Sequence, residues 1–197
     1  SARLGGGKVG LAGVLGLSAG MPNRIDASLR ARDLDLEAGK DMQVRAGGDL
    51  TAKGAWNSVA VAGEIRIEDV TYVPMLDLTG LLKVLKERKR RPAHAPKTER
   101  SPFMPRVSFD VAVLAKDAIH VEGNLGDVEL GGNLRVKGTP EAPVVIGTIS
   151  STRGTMYLLG STFDLTRCHF DFKDPLAIDP DVDVVATTKK DDTEITL

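Results

Sequence analysis

Four groups of residues in this chain are of types from which reactive centres are built. Cys168 and His169 supply a thiol and an imidazole, the partners of a cysteine nucleophile. Neighbours in an extended chain point to opposite faces, so His169 cannot turn back onto the thiol, and His94 or His120 could reach it only through the fold. Gly5, Gly6, Gly7 and Lys8 imitate a phosphate-binding loop, but the spacing is too short and Val9 stands where Ser or Thr is required. That stretch reads as a glycine-rich strand end. Asp171, Asp174, Asp179, Asp181 and Asp183 could gather a cation, yet they lack the glycine-centred spacing of a calcium loop. Asp181-Val182-Asp183-Val184 reads more simply as a strand with one acidic face. The three histidines fall at no metal-ligand spacing. The expectation is a protein that is not an enzyme, with no catalytic residue, no metal site and no cofactor.

The elements that carry these residues are strands. Apolar positions alternate with polar ones at Leu29 and Ala31, Leu34 and Leu36, Val59 and Val61, Ile65 and Ile67, and through Val107, Phe109, Val111 and Val113. The alternation continues at Ile119 and Val121, Val128 and Leu130, Leu134 and Val136, Met156 and Leu158, Phe163 and Leu165, Phe170 and Phe172, then Val182, Val184 and Ala186. One face of such strands is dry and the other wet. Gly-Gly at 47 and at 131, Gly-Thr-Pro at 138, and Asp-Pro at 174 and 179 are read as turns between short strands. About a dozen strands at about 4.8 Å each would form a ladder about 50 to 60 Å long.

The chain also contains itself. Shifted by 84 positions without a gap, residues 25–71 align with residues 109–155, and 14 of the 47 pairs are identical, among them Asp33/Asp117, Gly47/Gly131, Gly48/Gly132, Leu50/Leu134, Val61/Val145 and Ile65/Ile149. A repeat of strand-type segments predicts an elongated, stacked architecture in which each unit covers its neighbour's apolar face. Function is then expected along a surface or groove.

Composition agrees. Hydrophobic residues make up 42% of 197, enough for a core, while aromatics are only 4% and the formal charge is -1, which argues against nucleic acid as a partner. One cysteine, Cys168, excludes an internal disulfide. Residues 9–21 are apolar but too short and glycine-rich to span a bilayer. Beginning at Ser1 and ending within the strand-like Glu194-Ile195-Thr196-Leu197, the chain reads as an excised piece whose anchor lies elsewhere. Residues 1–78 are expected to form a first β-repeat unit, 79–106 an insert, and 107–197 a second β-repeat unit of one continuous domain. Leu78, just before the insert, and Leu81, Leu82 and Leu85 at its start have helical spacing, and residues 83–106 carry a charge of +7. A short helix with a solvated basic linker is one reading. The other is an amphipathic element whose Arg88, Lys89, Arg90 and Arg91 touch anionic lipid head groups. No aromatics interleave these cations, so single-stranded nucleic acid is not expected.

The last 70 or so residues carry a further signal. Gly132-Asn-Leu-Arg-Val-Lys-Gly-Thr-Pro, Gly147-Thr-Ile, Arg153-Gly-Thr-Met, Phe163-Asp-Leu, Phe170-Asp-Phe and Ile178-Asp-Pro-Asp-Val-Asp-Val-Val-Ala occur in an order that closely resembles the TamB C-terminal domain family, kin to AsmA-like and bridge-like lipid transfer proteins. The match is strong over residues 123–197 and fainter, through the repeat, over residues 25–71. Cys168 stands where the family usually has a glycine before the Phe-x-Phe strand, so the turn there is expected to differ.

This resemblance implies an all-β fold, a curled sheet forming a U-shaped, taco-like trough with an apolar interior. It implies a periplasmic segment of an inner-membrane-anchored, envelope-spanning protein, with an outer-membrane TamA-type barrel as partner and phospholipid as cargo. Repeat parity nominates Leu50, Val61, Ile65, Phe109, Val111, Val113, Leu134, Val136, Val145, Ile149, Phe163, Leu165, Phe170 and Phe172 as the lipid groove. The same residues would equally pack a closed sandwich. Three functions follow: a lipid conduit supporting outer-membrane biogenesis; alternatively, a module assisting outer-membrane β-barrel or autotransporter assembly by pairing at a sheet edge; and, least favoured by the low aromatic content, a polysaccharide-acting or adhesive solenoid.

Overall fold

A computed structural model describes residues 2–4, 6–37, 41–73, 106–158, 160–174, 177–190 and 193–196. The regular structure among these residues is entirely strand: β1 (Ala2–Leu4), β2 (Gly7–Ser18), β3 (Met21–Glu37), β4 (Met42–Ala55), β5 (Ser58–Tyr72), β6 (Arg106–Gly123), β7 (Gly126–Thr139), β8 (Ala142–Leu158), β9 (Ser161–Phe172), β10 (Asp181–Lys190) and β11 (Thr193–Thr196). All eleven belong to one sheet in chain order. At about 4.8 Å per step, the sheet is about 48 Å wide. The helix expected from Leu78 to Leu85 and the cations Arg88, Lys89, Arg90 and Arg91 lie outside the described residues.

The repeat has a direct counterpart in the sheet. β4 and β7 begin at Met42 and Gly126 and end at Ala55 and Thr139, an offset of 84 at both ends. β5 and β8 begin at Ser58 and Ala142 with the same offset. Each unit therefore holds three antiparallel strands, β3–β5 and β6–β8. An odd number of strands leaves a unit ending in the direction in which it began. The second unit can repeat the first in the same orientation only if the two meet in parallel, and β5 and β6 do so, from Ser58 opposite Arg106 to Tyr72 opposite Val121. A parallel joint needs a long return connection, and residues 74–105 supply its length.

Several strands carry extra residues where they pass one line across the sheet. Register shifts occur in β3 between Ala31 and Leu34, in β5 between Ile67 and Val70, in β6 between Ala115 and Ile119, and at β9 opposite Val185 and Ala186 of β10. β8 is unpaired with β9 between Ser150 and Thr155. These positions neighbour one another through Ala46 of β4 and Leu130 of β7, so the bulges form a continuous crease from β3 to β10. A bulge bends its strand and strengthens its twist. Aligned bulges bend the whole sheet along one line. In β7, residues 131–139 lie on one side and residues 126–130 on the other, giving arms about 30 Å and about 16 Å long.

The crease corrects three readings of the sequence. Leu29 and Ala31 share β3 with Leu34 and Leu36, and Phe163 and Leu165 share β9 with Phe170 and Phe172. The strands are long and bulged, not short and separated by turns, because an extra residue resets the alternation so that both arms keep their apolar side chains on the same face. Secondly, Gly47-Gly48 and Gly131-Gly132 lie inside β4 and β7, where they allow close approach at the crease. A Cβ at Gly131 would come within 2.7 Å of the Asp117 amide nitrogen, and one at Gly132 within 2.3 Å of the Thr148 carbonyl oxygen. The neighbouring bulges place Asp33 and Asp117, repeat partners, at left-handed φ values of 52° and 48°. Thirdly, no turn precedes Phe170-Asp-Phe172, since Cys168 lies within β9 just past its bulge.

Candidate functional site

The ladder registers place all fourteen nominated groove residues on one face. Leu29, Leu50 and Gly63 are successive partners across β3, β4 and β5, and Ala52, Val61 and Phe109 across β4, β5 and β6. Ile65, Val113, Leu134 and Gly147 continue from β5 to β8, and Gly63, Val111, Val136 and Val145 run beside them. Ile149 and Gly147 then face Phe170 and Phe172, Met156 faces Phe163, and Leu165 faces Ala186 of β10. Outside the bulges, no charged residue occupies this face from β2 to β10 among the described residues.

The opposite face is a lattice of ion pairs. Arg30 donates to Asp49 at 2.7 Å, and Arg66 reaches the same carboxylate at 3.3 Å. Arg45 binds Asp35, Arg135 binds Asp110, Arg153 binds Glu129, Arg167 binds Asp183, and Lys173 lies between Asp171 and Asp181. Hydrogen bonding from Arg30 holds the Asp49 carboxyl below the usual range, and Arg135 does the same for Asp110. Such exposed pairs are screened by solvent and pay side-chain entropy, so they orient the sheet more than they stabilise it.

Among the described residues, the burial of the apolar face has one available cause. All described strands lie in a single sheet, so no second layer of described strands or helices covers it. Nevertheless Val59 and Val111 are only 6% and 7% exposed. A sheet buries side chains on one of its own faces by bending over that face, and the aligned bulges supply the bend. The result is a trough with a tightly packed floor at the crease, where Ala46, Ala115, Ala118, Cys168 and Ala186 are buried. Its walls are half-buried, with most groove residues between buried and exposed. Among the described residues, no large side chain is fully enclosed.

A family model described as the TamB C-terminal domain matches residues 1–197, the whole chain. The chain belongs to the TamB C-terminal domain family. The match runs on through the first repeat unit, where the resemblance is faint, and through β1 and β2. No curated protein matches the chain. Among the described residues, no helix is long and apolar enough to cross a membrane, and no group of three or more His, Cys, Asp or Glu side chains could hold a metal ion.

In this TamB-family sheet, Cys168 and His169 point to opposite faces, the thiol into the trough and the imidazole outward beside Asp183 and Ser150. Burial pushes the thiol up and the Asp183 charge adds to the shift, so the sulfur stays protonated at neutral pH. His120 lies near Asp69 on the outer face, away from Cys168. Among the residues missed by repeat parity are Val59, Ile67, Val70 and Tyr72 of β5, Ile119 and Val121 past the β6 bulge, and Cys168 itself. Breaks in alternation, such as Ile65-Ile67 followed by Val70-Tyr72, were the signal that both arms share one face.

Proposed function

We propose that this domain is a non-enzymatic segment of a periplasmic phospholipid conduit, holding acyl chains in the trough between inner and outer membranes. The supporting observation is the uninterrupted apolar face. It crosses nine strands without a charge outside the bulges, and no second layer of described elements covers it. Exposed apolar surface of this extent calls for something to cover it. An acyl chain does so at about 0.8 kcal/mol per buried methylene, about 10 kcal/mol for a long chain. The charged head group stays at the open mouth. Because the lining is Val, Ile, Leu, Phe and Ala, contact is non-directional, and a chain slides along the trough without breaking a hydrogen bond at each step.

In this reading the protein is anchored at the inner membrane through a segment outside these 197 residues and delivers to a TamA-type barrel. The basic residues Arg88, Lys89, Arg90 and Arg91 would attract anionic head groups. An assembly module for outer-membrane proteins would instead use the backbone at a sheet edge. Lipid mass spectrometry on protein purified gently from a bacterial envelope separates the two, with a Val145→Arg variant beside the parent. Phospholipid in the parent and depletion in the folded variant are expected. Lipid absent from both, together with captured β-barrel segments, would replace the conduit with the assembly module.

A further inference from the structure

The two repeat units differ sharply at one corner of the sheet. At the end of the long arm, the β2–β3 and β4–β5 turns lie side by side, joined by the Trp56 amide, which donates to the Asn23 carbonyl at 3.0 Å. Beside them an open cavity of about 530 Å³ is lined by Asn23, Arg24, Lys53, Gly54 and Ala55. The second unit keeps Lys137 and Gly138 in place of Lys53 and Gly54, but has Val107 and Ser108 for Asn23 and Arg24, and Pro140 for Trp56. Asn23, Arg24 and Trp56 therefore have no counterpart in the repeat.

A bulge aims the first two. Gly16 pairs with Arg24 and Leu17 with Pro22, which leaves Asn23 as an extra residue of β3. Such a bulge re-aims side chains, and here two consecutive ones share a face: a Cβ at Gly16 would meet Asn23 Oδ1 at 2.6 Å and Arg24 Cβ at 3.2 Å. Gly16 alternates with Leu15, whose partner Ile25 shares the trough face with Leu29, so the shared face is the outer one. Lys53 stands diagonally across on β4, since it pairs with Asp26 while Arg24 pairs with Ala55. An amide, a guanidinium and an ammonium, each a hydrogen-bond donor, thus line one cavity.

These cations are less neutralised than the lattice around them. Arg30, Arg45, Arg66 and Arg135 each bind a carboxylate, whereas among the described residues none pairs with Arg24. Lys53 meets Asp26 at 3.6 Å, which leaves two cations against one carboxylate. Apolar side chains flank the donors: Met21 at the start of β3 is 69% exposed, and Trp56 in the β4–β5 turn is 40% exposed. An indole beside cations suits a membrane–water interface, where the ring enters the boundary and Arg and Lys reach phosphates. A dissolved anion would satisfy the donors and leave Met21 and Trp56 in water. A lipid surface takes both.

We propose that this corner docks on an anionic phospholipid surface, with Asn23, Arg24 and Lys53 holding a head-group phosphate and Met21 and Trp56 entering the boundary. The site lies on the outer face, so it is independent of lipid in the trough.

Trp56 is the chain's one tryptophan, so its emission reads the contact directly. The 197-residue chain should bind vesicles of phosphatidylglycerol and phosphatidylcholine, with Trp56 emission moving to shorter wavelength and quenched by brominated acyl chains. Asn23→Val with Arg24→Ser, the second unit's residues, should weaken binding about fivefold or more with an unchanged far-UV circular dichroism spectrum. Should that variant fail to fold, Lys53→Gln decides, with about the same loss. Lys137→Ser, three strands and about 14 Å from Lys53, lies beyond a Debye length and should leave the affinity within about twofold of the parent. Absence of binding, equal binding to pure phosphatidylcholine vesicles, unaltered Trp56 emission, full affinity in the folded variants or an equal loss in Lys137→Ser would each overturn the proposal.

Discussion

The floor of the trough and its walls obey different packing rules, and the repeat exposes the difference by presenting each region twice. At the crease, the cross-strand pair Ala46–Ile67 of the first unit becomes Leu130–Ser151 in the second. One partner grows as the other shrinks, as in a close-packed interior. On the long wall, the pair Ala27–Ala52 becomes Val111–Val136, and both partners grow together. Ile25 likewise becomes Phe109. Val111 is buried while Val136 is half-buried, so the larger pair packs on its neighbours along the wall without a matching loss across from it among the described residues. Among the described residues, most buried apolar side chains gather at the crease, whereas the walls hold Val59, Val111 and Phe163 buried among half-buried neighbours.

The sharpest way to break this distinction is to add volume at the crease. Gly132→Val places side-chain atoms against the Thr148 carbonyl and should destabilise the fold by about 3 kcal/mol, an overpacking cost at the upper end of the usual range. In thermal denaturation this corresponds to a midpoint lowered by about 9 °C. A shift below about 2 °C would place the crease among the linings. Next in size is Ile149→Arg on the wall. The guanidinium there reaches the open mouth, so the cooperative transition should survive while bound phospholipid is lost. A closed core would lose the fold instead, because the buried charge would have no partner.

A subtler variant sharpens the comparison by converting one wall into the other. Ala27→Val with Ala52→Val recreates the second unit's pair in the first, and its stability should lie within about 0.5 kcal/mol of the parent by urea titration, where a filled core would lose about 1 to 3 kcal/mol. The smallest effect belongs to the outer face. Asp49 and Asp110 are held below the ordinary carboxylate range by Arg30 and Arg135, so their contribution is present above the unfolded value of about 4 and fades as pH falls through the folded one. Stability should be level from pH 7 to about pH 5 and decline below about pH 4. Asp110→Asn should flatten part of that decline, and an unchanged profile would show that the pair does not hold in solution.

Much of this architecture was legible in the chain. Period-two alternation gave the strands and the shared face of residues such as Val61, Val111, Val136 and Val145, and the 84-residue offset gave the unit. The crease was written there too. Leu29-Ala31 followed by Leu34-Leu36 skips one position, which reads as a gap between two strands unless the neighbouring strand is known to pass it straight. Gly47-Gly48 resembled a turn because glycine serves both tight turns and close backbone approach, and only the facing Asp33 bulge distinguishes them. Residues 9–21 read only as an apolar stretch too short to span a bilayer, because glycine interrupts the alternation of β2 at positions 10, 13 and 16. The parallel joint follows from counting three strands per unit, a count hidden while the bulged strands were divided.

The central claim is that the trough face, and not merely the apolar residues of this domain, meets lipid. Photo-crosslinking at three consecutive positions of β8 tests it most directly, since Val145 faces the trough while Val144 and Ile146 face outward. Ile146 is the demanding control, being as apolar as Val145 and 41% exposed. With a photoreactive side chain at each site in envelope-derived protein, the expected result is phospholipid attached at position 145 and none at 144 or 146. Equal labelling at 145 and 146, or none at 145, would contradict an acyl-lined trough.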